Sequence, residues 1–307
     1  MTKVFVDGSA GTTGLRIVER LKERKDLTLL ELPEELRKDP HARAEKLYCA
    51  DIAFLCLPDA AAKEAVSLVS DAAVKIIDTS TAHRTAPGWT YGLPELTGKR
   101  EEIVNSNRIA NPGCHASGFI ALVAPLVENR LISPSVSLSA FSLTGYSGGG
   151  KSMIAAYRDA DRDPSYEAPR QYGLTQQHKH LNEMVYLTGL AKAPVFCPIV
   201  ADYYAGMEVT VPLFAEQING SVSDIREVYR EYYKEGLIRV SDSPDPDGML
   251  AANAFMGRDD MQIGVYGNEE RVLLVARFDN LGKGASGAAI QNMNILLGVK
   301  ETTGLNV

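Results

Sequence analysis

The chain has 307 residues, 45% of them hydrophobic and 23% charged, and a formal net charge of −7. That length carries a substantial core, as one large domain or two, and the acidic balance excludes a general attraction to nucleic acid or an anionic membrane surface. No apolar run reaches the roughly 20 residues of a membrane-spanning helix. Met1-Thr2-Lys3-Val4-Phe5 leads straight into a strand, so a cytoplasmic protein is expected.

Residues 3–7 read as a buried strand. The run Gly8-Ser9-Ala10-Gly11-Thr12-Thr13-Gly14 follows at once, and Leu15, Ile17, Val18 and Leu21 continue as a helix with one apolar face. In a strand, glycine turn and helix, main-chain N–H groups hold a pyrophosphate and glycines let it come close. The spacing is Gly-x-x-Gly-x-x-Gly, not Gly-x-Gly-x-x-Gly, and an ordinary strand-to-helix turn is the competing reading. Further strands are expected at 27–32, 52–57 and 74–78, with a helix over 60–69 that starts after Pro58-Asp59. Short apolar strands alternating with helices point to a parallel, doubly wound sheet whose ligand edge is the carboxyl end of its strands. Near the end of the second strand, Glu31 suits a ribose hydroxyl and Arg37-Lys38 a 2′-phosphate, which leaves NAD and NADP both open.

The polar loop Asp78-Thr79-Ser80-Thr81-Ala82-His83-Arg84 falls at that edge. Arg84 suits a bidentate hold on an anionic substrate group; a solvated surface arginine is the alternative. The chain then reaches Asn111-Pro112-Gly113-Cys114-His115-Ala116-Ser117-Gly118, ahead of a helical pattern carried by Phe119, Leu122, Val123, Leu126 and Val127. A strand turning through Pro-Gly into a helix puts Cys114 at or near the helix start, where unpaired N–H groups and the macrodipole favour a thiolate. That position favours a nucleophile over a small buried residue. Cys56 and Cys197 lie in apolar runs and read as core, Cys49 has no informative context, and no cysteine has metal-ligand spacing.

In the second half, residues 136–143, 207–213 and 271–278 alternate as half-buried strands do. Residues 261–266 and 271–278 form an expected hairpin through Gly267-Asn268. A helix is expected over 221–234 with Ser223 as N-cap and Gly236 as its stop. These elements make an α+β domain on an antiparallel or mixed sheet. The run Thr144-Gly145-Tyr146-Ser147-Gly148-Gly149-Gly150-Lys151 either sits against a ligand or is flexible, and 158–170 reads as an exposed loop. In Gln176-Gln177-His178-Lys179-His180-Leu181-Asn182-Glu183, a histidine near the cysteine holds the thiolate and moves protons near neutral pH. A metal site there ranks lower, because no third ligand accompanies the pair. Lys283, between glycines ahead of a helix over 288–297, is an expected anion site. Ala289, Ile290 and Met293 make that helix apolar enough to pack back on the first domain.

In this order and spacing the motifs resemble the N-acetyl-gamma-glutamyl-phosphate reductases of arginine biosynthesis, in their shorter form, and more broadly the semialdehyde dehydrogenases. The resemblance runs from the glycine turn to the end of the chain. It is carried by Gly8 to Gly14, Asp78-Thr79-Ser80 through Arg84, Asn111-Pro112-Gly113-Cys114, His178-x-His180-x-x-Glu183, and Asn280-x-x-Lys283-Gly284-Ala285 with Gln291-Asn292-Met293-Asn294. It implies an α/β fold with a Rossmann-type dinucleotide domain over 1–115 and 286–307, and a catalytic and oligomerisation domain over 116–285. The implied reaction is the NADP-dependent reductive dephosphorylation of N-acetyl-L-glutamyl 5-phosphate to N-acetyl-L-glutamate 5-semialdehyde, with release of phosphate through a cysteine thioester.

By that resemblance Cys114 is the nucleophile, His180 or His178 the acid/base, and Arg84, Lys283 and Glu183 the substrate contacts. Gly8, Gly11, Thr12, Thr13, Gly14 and Ser80 hold the cofactor, and Asn292 lies near the nicotinamide. A homodimer or homotetramer without metal, nucleic acid or membrane is implied. The competing readings are another semialdehyde dehydrogenase, such as one acting on aspartyl phosphate, and a non-catalytic dinucleotide sensor. Two departures stand out: His115 follows the cysteine where a tyrosine is more usual in the longer form, and the glycine turn reads Gly-Ser-Ala-Gly-Thr-Thr-Gly.

Overall fold

The computed structural model describes residues 1–69, 73–241 and 243–307. The chain divides into two compact units, Met1–Pro112 with Ala285–Asn306, and Gly113–Gly284.

The first unit is built on β1 (Thr2–Asp7), α1 (Thr12–Lys22), β2 (Leu27–Leu30), α2 (Pro40–Cys49), β3 (Ile52–Leu55), α3 (Asp59–Leu68), β4 (Lys75–Asp78), β5 (Thr90–Tyr91), α4 (Lys99–Val104) and β6 (Arg108–Ala110), with the last helix, Gly287–Leu296. The strands form one sheet in the order β2-β1-β3-β4-β6-β5, with every pairing parallel. Side chains alternate across a strand, so Val4 and Val6 enter one core with Ile17, Phe54, Ile290 and Met293, while Phe5 enters the other with Leu47, Leu55 and Ala62. Each side chain buried in this way contributes roughly 1.5–3 kcal/mol. The final helix lies in the first of these cores, as its apolar positions require. β2 and β3 flank β1 on opposite sides, so the winding reverses beside the turn that leaves β1, the place where such sheets take ligands.

β2 and β3 end two residues earlier than expected, because their pairing with β1 stops at Leu30 and Leu55. Helix α2 was not legible, since one of its two buried residues is a charge. Arg43, 5% exposed, meets Asp7 at 3.0 Å and Glu64 at 2.9 Å, and this breaks the apolar period. Its start is nonetheless regular: Asp39 accepts from the N–H groups of His41 and Ala42, and Pro40 fills the first turn.

The second unit comprises α5 (Cys114–Glu128), β7 (Ser139–Gly145), α6 (Gly150–Arg158), β8 (Arg170–Gln171), α7 (Leu181–Thr188), β9 (Val195–Ala201), β10 (Met207–Phe214), α8 (Val222–Tyr232), β11 (Ile238–Ser241), β12 (Met261–Gly267) and β13 (Arg271–Phe278). Its mixed sheet runs β11-β12-β13-β10-β7-β9-β8, with β12 and β13 as the expected hairpin. Helix α5 is buried along almost its whole length and packs against β10, β13, α7 and α8. Gly118 allows that approach, because a Cβ there would lie 2.6 Å from Val209. Pro125 inside α5 has no N–H for the Ala121 carbonyl; the Tyr233 hydroxyl donates to that oxygen at 2.7 Å, and Tyr229 donates to Leu122 O at 2.5 Å.

Helix α8 is capped by Ser221, not Ser223. Ser221 Oγ accepts from Asp224 N at 3.2 Å and the Asp224 carboxylate takes the Ser221 N–H at 2.7 Å, a reciprocal pair that only this spacing allows. The glycine-rich run after β7 is packed: Tyr146 and Ser147 donate to Tyr203 O and Tyr204 O, and Gly150 begins α6. Cys197 is intermediate in exposure rather than core, because it occupies an outward position of β9 next to buried Phe196. No helix among the described residues is long and apolar enough to cross a membrane.

Candidate functional site

In the first unit the glycine turn closes on the strand ends. Gly8 has φ +86°, and a Cβ there would lie 2.3 Å from Cys56 O, while one on Gly14 would lie 2.4 Å from Gly8 O. Only glycine fits the first position without strain. Gly11 is the N-cap of α1 and no side chain caps it, so the first-turn N–H groups at Thr12, Thr13 and Gly14 form an anion cradle. Beside it opens a cavity of about 710 Å³ lined by Gly8, Ser9, Glu31, Arg37 and Lys38, among others. Glu31 stands 3.6 Å from Lys22 and Arg37 stands 3.4 Å from Glu34, so charges of both signs are present.

At the ends of β4 and β6, hydrogen bonds lock the loops. Buried Asp78 accepts from Ser80 N at 2.9 Å and Ser80 Oγ at 2.7 Å, and lies 2.6 Å from His83 Nδ1. The His83 ring stacks on Trp89 at 4.1 Å. Arg84, expected to hold substrate, is 9% exposed, and its Nε and Nη2 donate to Asn111 O at 3.0 Å and Thr79 O at 3.2 Å. It braces the two strand ends against each other. Asn292 on the final helix is fully buried; its Nδ2 donates to Gly92 O at 2.9 Å, and its Oδ1 has no partner among the described residues. A buried carbonyl oxygen left unmatched is costly and suits an amide N–H donor such as that of nicotinamide. The glycine cradle and this oxygen both fit a dinucleotide.

In the second unit Cys114 is the first residue of α5, where the helix dipole places about half a positive charge. The N–H of Gly113 donates to Glu183 Oε2 at 3.1 Å, and Glu183 Oε1 lies 4.0 Å from His180 Nε2. The His180 N–H donates to His178 Nδ1 at 3.2 Å, so a neutral His178 carries its proton on Nε2. The two rings lie 4.6 Å apart and nearly perpendicular, with the His115 ring 5.6 Å from His178 and 5.5 Å from His180. Cys114, His115, Tyr172, His178 and His180 line one cavity of about 220 Å³. A Cβ on Gly284 would come within 3.0 Å of Cys114 Cβ, so this glycine keeps the cysteine's surroundings open.

The structure therefore brings Cys114, His178 and His180 together. Glu183, expected among substrate contacts, is 1% exposed and stands behind that wall; Lys283 is fully buried in the turn Gly282–Ser286. Two residues, Ser142 and Tyr172, were missed in the sequence. His115 Nδ1 lies 2.6 Å from Ser142 Oγ and its Nε2 lies 2.7 Å from Tyr172 Oη. A serine at an inward position of an alternating strand was the one available signal for Ser142. Burial, aided by His178, pushes His115 down to about 3, so it stays neutral. Burial pushes the Cys56 thiol up to about 12, that of an inert cysteine. Among the described residues no group of three or more His, Cys, Asp or Glu side chains is placed to hold a metal ion.

A glycine turn at the reversal point of a parallel sheet, with a cysteine at a helix start facing two histidines in a mixed-sheet unit, belongs to the class of semialdehyde dehydrogenases. Residues 30–106 match the semialdehyde dehydrogenase NAD binding domain, and residues 114–280 the semialdehyde dehydrogenase dimerisation domain. The chain is 46% identical to N-acetyl-gamma-glutamyl-phosphate reductase 2 of a Nostoc species over 99% of both chains. It is 43% identical to the Pseudomonas putida protein of the same name over 98% of both, and 45% identical to N-acetyl-gamma-glutamyl-phosphate reductase of Brucella suis over 96% of this chain and 99% of that one. The chain belongs to the N-acetyl-gamma-glutamyl-phosphate reductase family. Its fold is shared with aspartate semialdehyde dehydrogenases from Francisella tularensis, at TM-score 0.73 and 15% identity over 97% of this chain and 100% of that one, and from Candida albicans, solved with NADP, at TM-score 0.70 and 16% identity over 97% and 99%.

Proposed function

We propose that this chain catalyses the NADP-dependent reduction of N-acetyl-L-glutamyl 5-phosphate to N-acetyl-L-glutamate 5-semialdehyde and phosphate, a cytoplasmic step of arginine biosynthesis. The observation that carries the chemistry is Cys114 at the start of α5, sharing a cavity with His178 and His180. The family to which the chain belongs supports the choice of substrate.

The thiolate of Cys114 attacks the acyl carbon, the bond from that carbon to the phosphate oxygen breaks, and phosphate leaves, giving a thioester. When bound, the reduced nicotinamide cofactor supplies a hydride to the acyl carbon. His180 gives its proton to the oxygen on which charge develops; as the carbon–sulfur bond then breaks, that O–H proton returns to His180, the carbonyl forms, and the aldehyde and the thiolate are released. Glu183, 4.0 Å from His180 Nε2, favours the charged imidazole and aims it, while the His180 main chain holds His178 beside it. Glu183 is on this reading a positioning residue. Arg84 and Lys283 remain the cationic residues proposed to favour the anionic substrate, Arg84 through the loop it braces.

Gly8, Gly11, Thr12, Thr13 and Gly14 are proposed to hold the pyrophosphate and Asn292 Oδ1 the nicotinamide amide, with Ser80 in the adjoining loop. Arg37 and Lys38 in the cavity wall support NADP over NAD. A homodimer or homotetramer is proposed to form through the second unit. The match to a dimerisation domain supports this, as do Phe141 and Leu273, more than 40% exposed on outward positions of its sheet.

The test is the reverse reaction, with N-acetylglutamate semialdehyde, phosphate and either nucleotide. Phosphate-dependent NADPH formation is expected, at least about 100-fold faster than with aspartate semialdehyde. A preference for aspartate semialdehyde, or nucleotide binding without turnover of either, overturns the reading.

A further inference from the structure

Ser142, His115 and Tyr172 form a hydrogen-bonded chain that the reaction scheme does not use. Ser142 on β7 is fully buried, with Oγ 2.6 Å from His115 Nδ1; on the other side of the ring, Tyr172 Oη lies 2.7 Å from Nε2. Among the described residues neither hydroxyl has another hydrogen-bond partner.

Burial decides the direction of this chain. A neutral His115 offers one N–H and one lone pair. Were Tyr172 to donate to Nε2, Nδ1–H would point at Ser142 Oγ, and the serine hydrogen would have no acceptor where water is excluded, which is costly. In the reverse order, Ser142 O–H donates to Nδ1, Nε2–H donates to Tyr172 Oη, and the phenol hydrogen is left facing the cavity. Tyr172 and Cys114 line that cavity together.

We propose that this chain turns the Tyr172 hydroxyl into a hydrogen-bond donor to the sulfur of Cys114, with His115 and Ser142 as positioning residues acting through it. The proposal rests on the reading of Cys114 as the nucleophile. A donor to the sulfur stabilises it as an anion, both before attack and when it leaves as the aldehyde forms. Burial, and next to it the negative charge of Cys114, hold the Tyr172 phenol well above its ordinary pKa, so it keeps the proton it donates. Ser142 touches neither sulfur nor substrate, and its effect on Cys114 passes through two hydrogen bonds.

The experiment compares the full chain with the isosteric Tyr172→Phe, with Ser142→Ala, and with the double variant. It measures the rate at which uncharged iodoacetamide alkylates Cys114, located by mass spectrometry, at one neutral pH, together with kcat and KM. His178, Lys179 and His180, the other ionisable residues of the cavity wall, are left unchanged. Tyr172→Phe is expected to slow alkylation about tenfold and Ser142→Ala about threefold, with kcat falling in parallel, and the double variant is expected to match Tyr172→Phe alone. Independent structural roles would instead give losses that multiply in the double variant. Multiplying losses, or a Tyr172→Phe chain that alkylates as fast as the unaltered one, overturn the proposal. Alkylation needs no substrate, so the expected pattern in a chain that fails to turn over N-acetylglutamate semialdehyde supports the hydrogen-bond chain and overturns the substrate assignment instead.

Discussion

The carboxylate of Glu183 accepts the main-chain N–H of Gly113 at 3.1 Å, across 70 residues of sequence. This bond fastens the start of α5, and with it Cys114, to the first turn of α7, where the same carboxylate faces His180. Glu183→Gln keeps an acceptor of the same size and removes the charge. It should therefore leave stability nearly unchanged and lower turnover about tenfold. Glu183→Ala leaves the Gly113 N–H buried without a partner and should cost roughly 1–3 kcal/mol. Urea unfolding and steady-state kinetics on both variants check the separation.

Cys114→Ser keeps the position at the helix start and removes a group that both attacks and leaves well. Turnover should fall by about 10³-fold or more, with NADP affinity within about twofold. Fluorescence titration of the nucleotide beside the activity assay checks this, and a variant close to full activity would falsify the covalent role.

Gly8→Ala forces a side chain into a left-handed backbone position with the Cys56 carbonyl in its way. Strain of about 1–3 kcal/mol or displacement of the turn should follow, and NADP binding should weaken at least about tenfold. Glu19→Ala on the same helix serves as a control, because Glu19 is exposed and lies outside the lining of that cavity.

His115 sets a pH dependence of stability. Its folded pKa, about 3, lies below its ordinary 6.5, so the unfolded chain binds the extra proton between those values. Stability from this group is complete above about pH 6.5 and is lost as pH falls toward 3. Between about pH 7 and pH 5 the loss approaches 2 kcal/mol. The variant His115→Gln should lack this part of the slope, as read from urea midpoints at the two pH values.

Tyr233→Phe should cost about 0.5–1.5 kcal/mol without altering turnover, because its hydroxyl donates to the Ala121 carbonyl that Pro125 leaves without a helical N–H partner. A fall in kcat with unchanged stability would show that α8 does more than support α5.

Several features were legible in the residues themselves because their causes are local. Alternation and apolar runs marked β1 to β4 and β6 of the first sheet and β7, β10, β12 and β13 of the second, but not β5, β8, β9 or β11; the glycine turn after β1 announced its own backbone, and Pro112-Gly113 before an apolar period located the start of α5 at Cys114. Other features depend on partners far along the chain. An inward arginine disguised α2, since Arg43 is tolerated only where Asp7 and Glu64 meet it. Ser142 and Tyr172 meet His115 from 27 and 57 residues away. Arg84 reads as a substrate contact, and the main-chain partners that its Nε and Nη2 find at the ends of β4 and β6 are visible only in the fold. Periodicity reports which face of a strand or helix leaves water. Which polar group then meets which is a matter of sheet register and helix placement, and these arise only when the whole core packs, because a buried hydrogen bond is worth making only where its partner is already held.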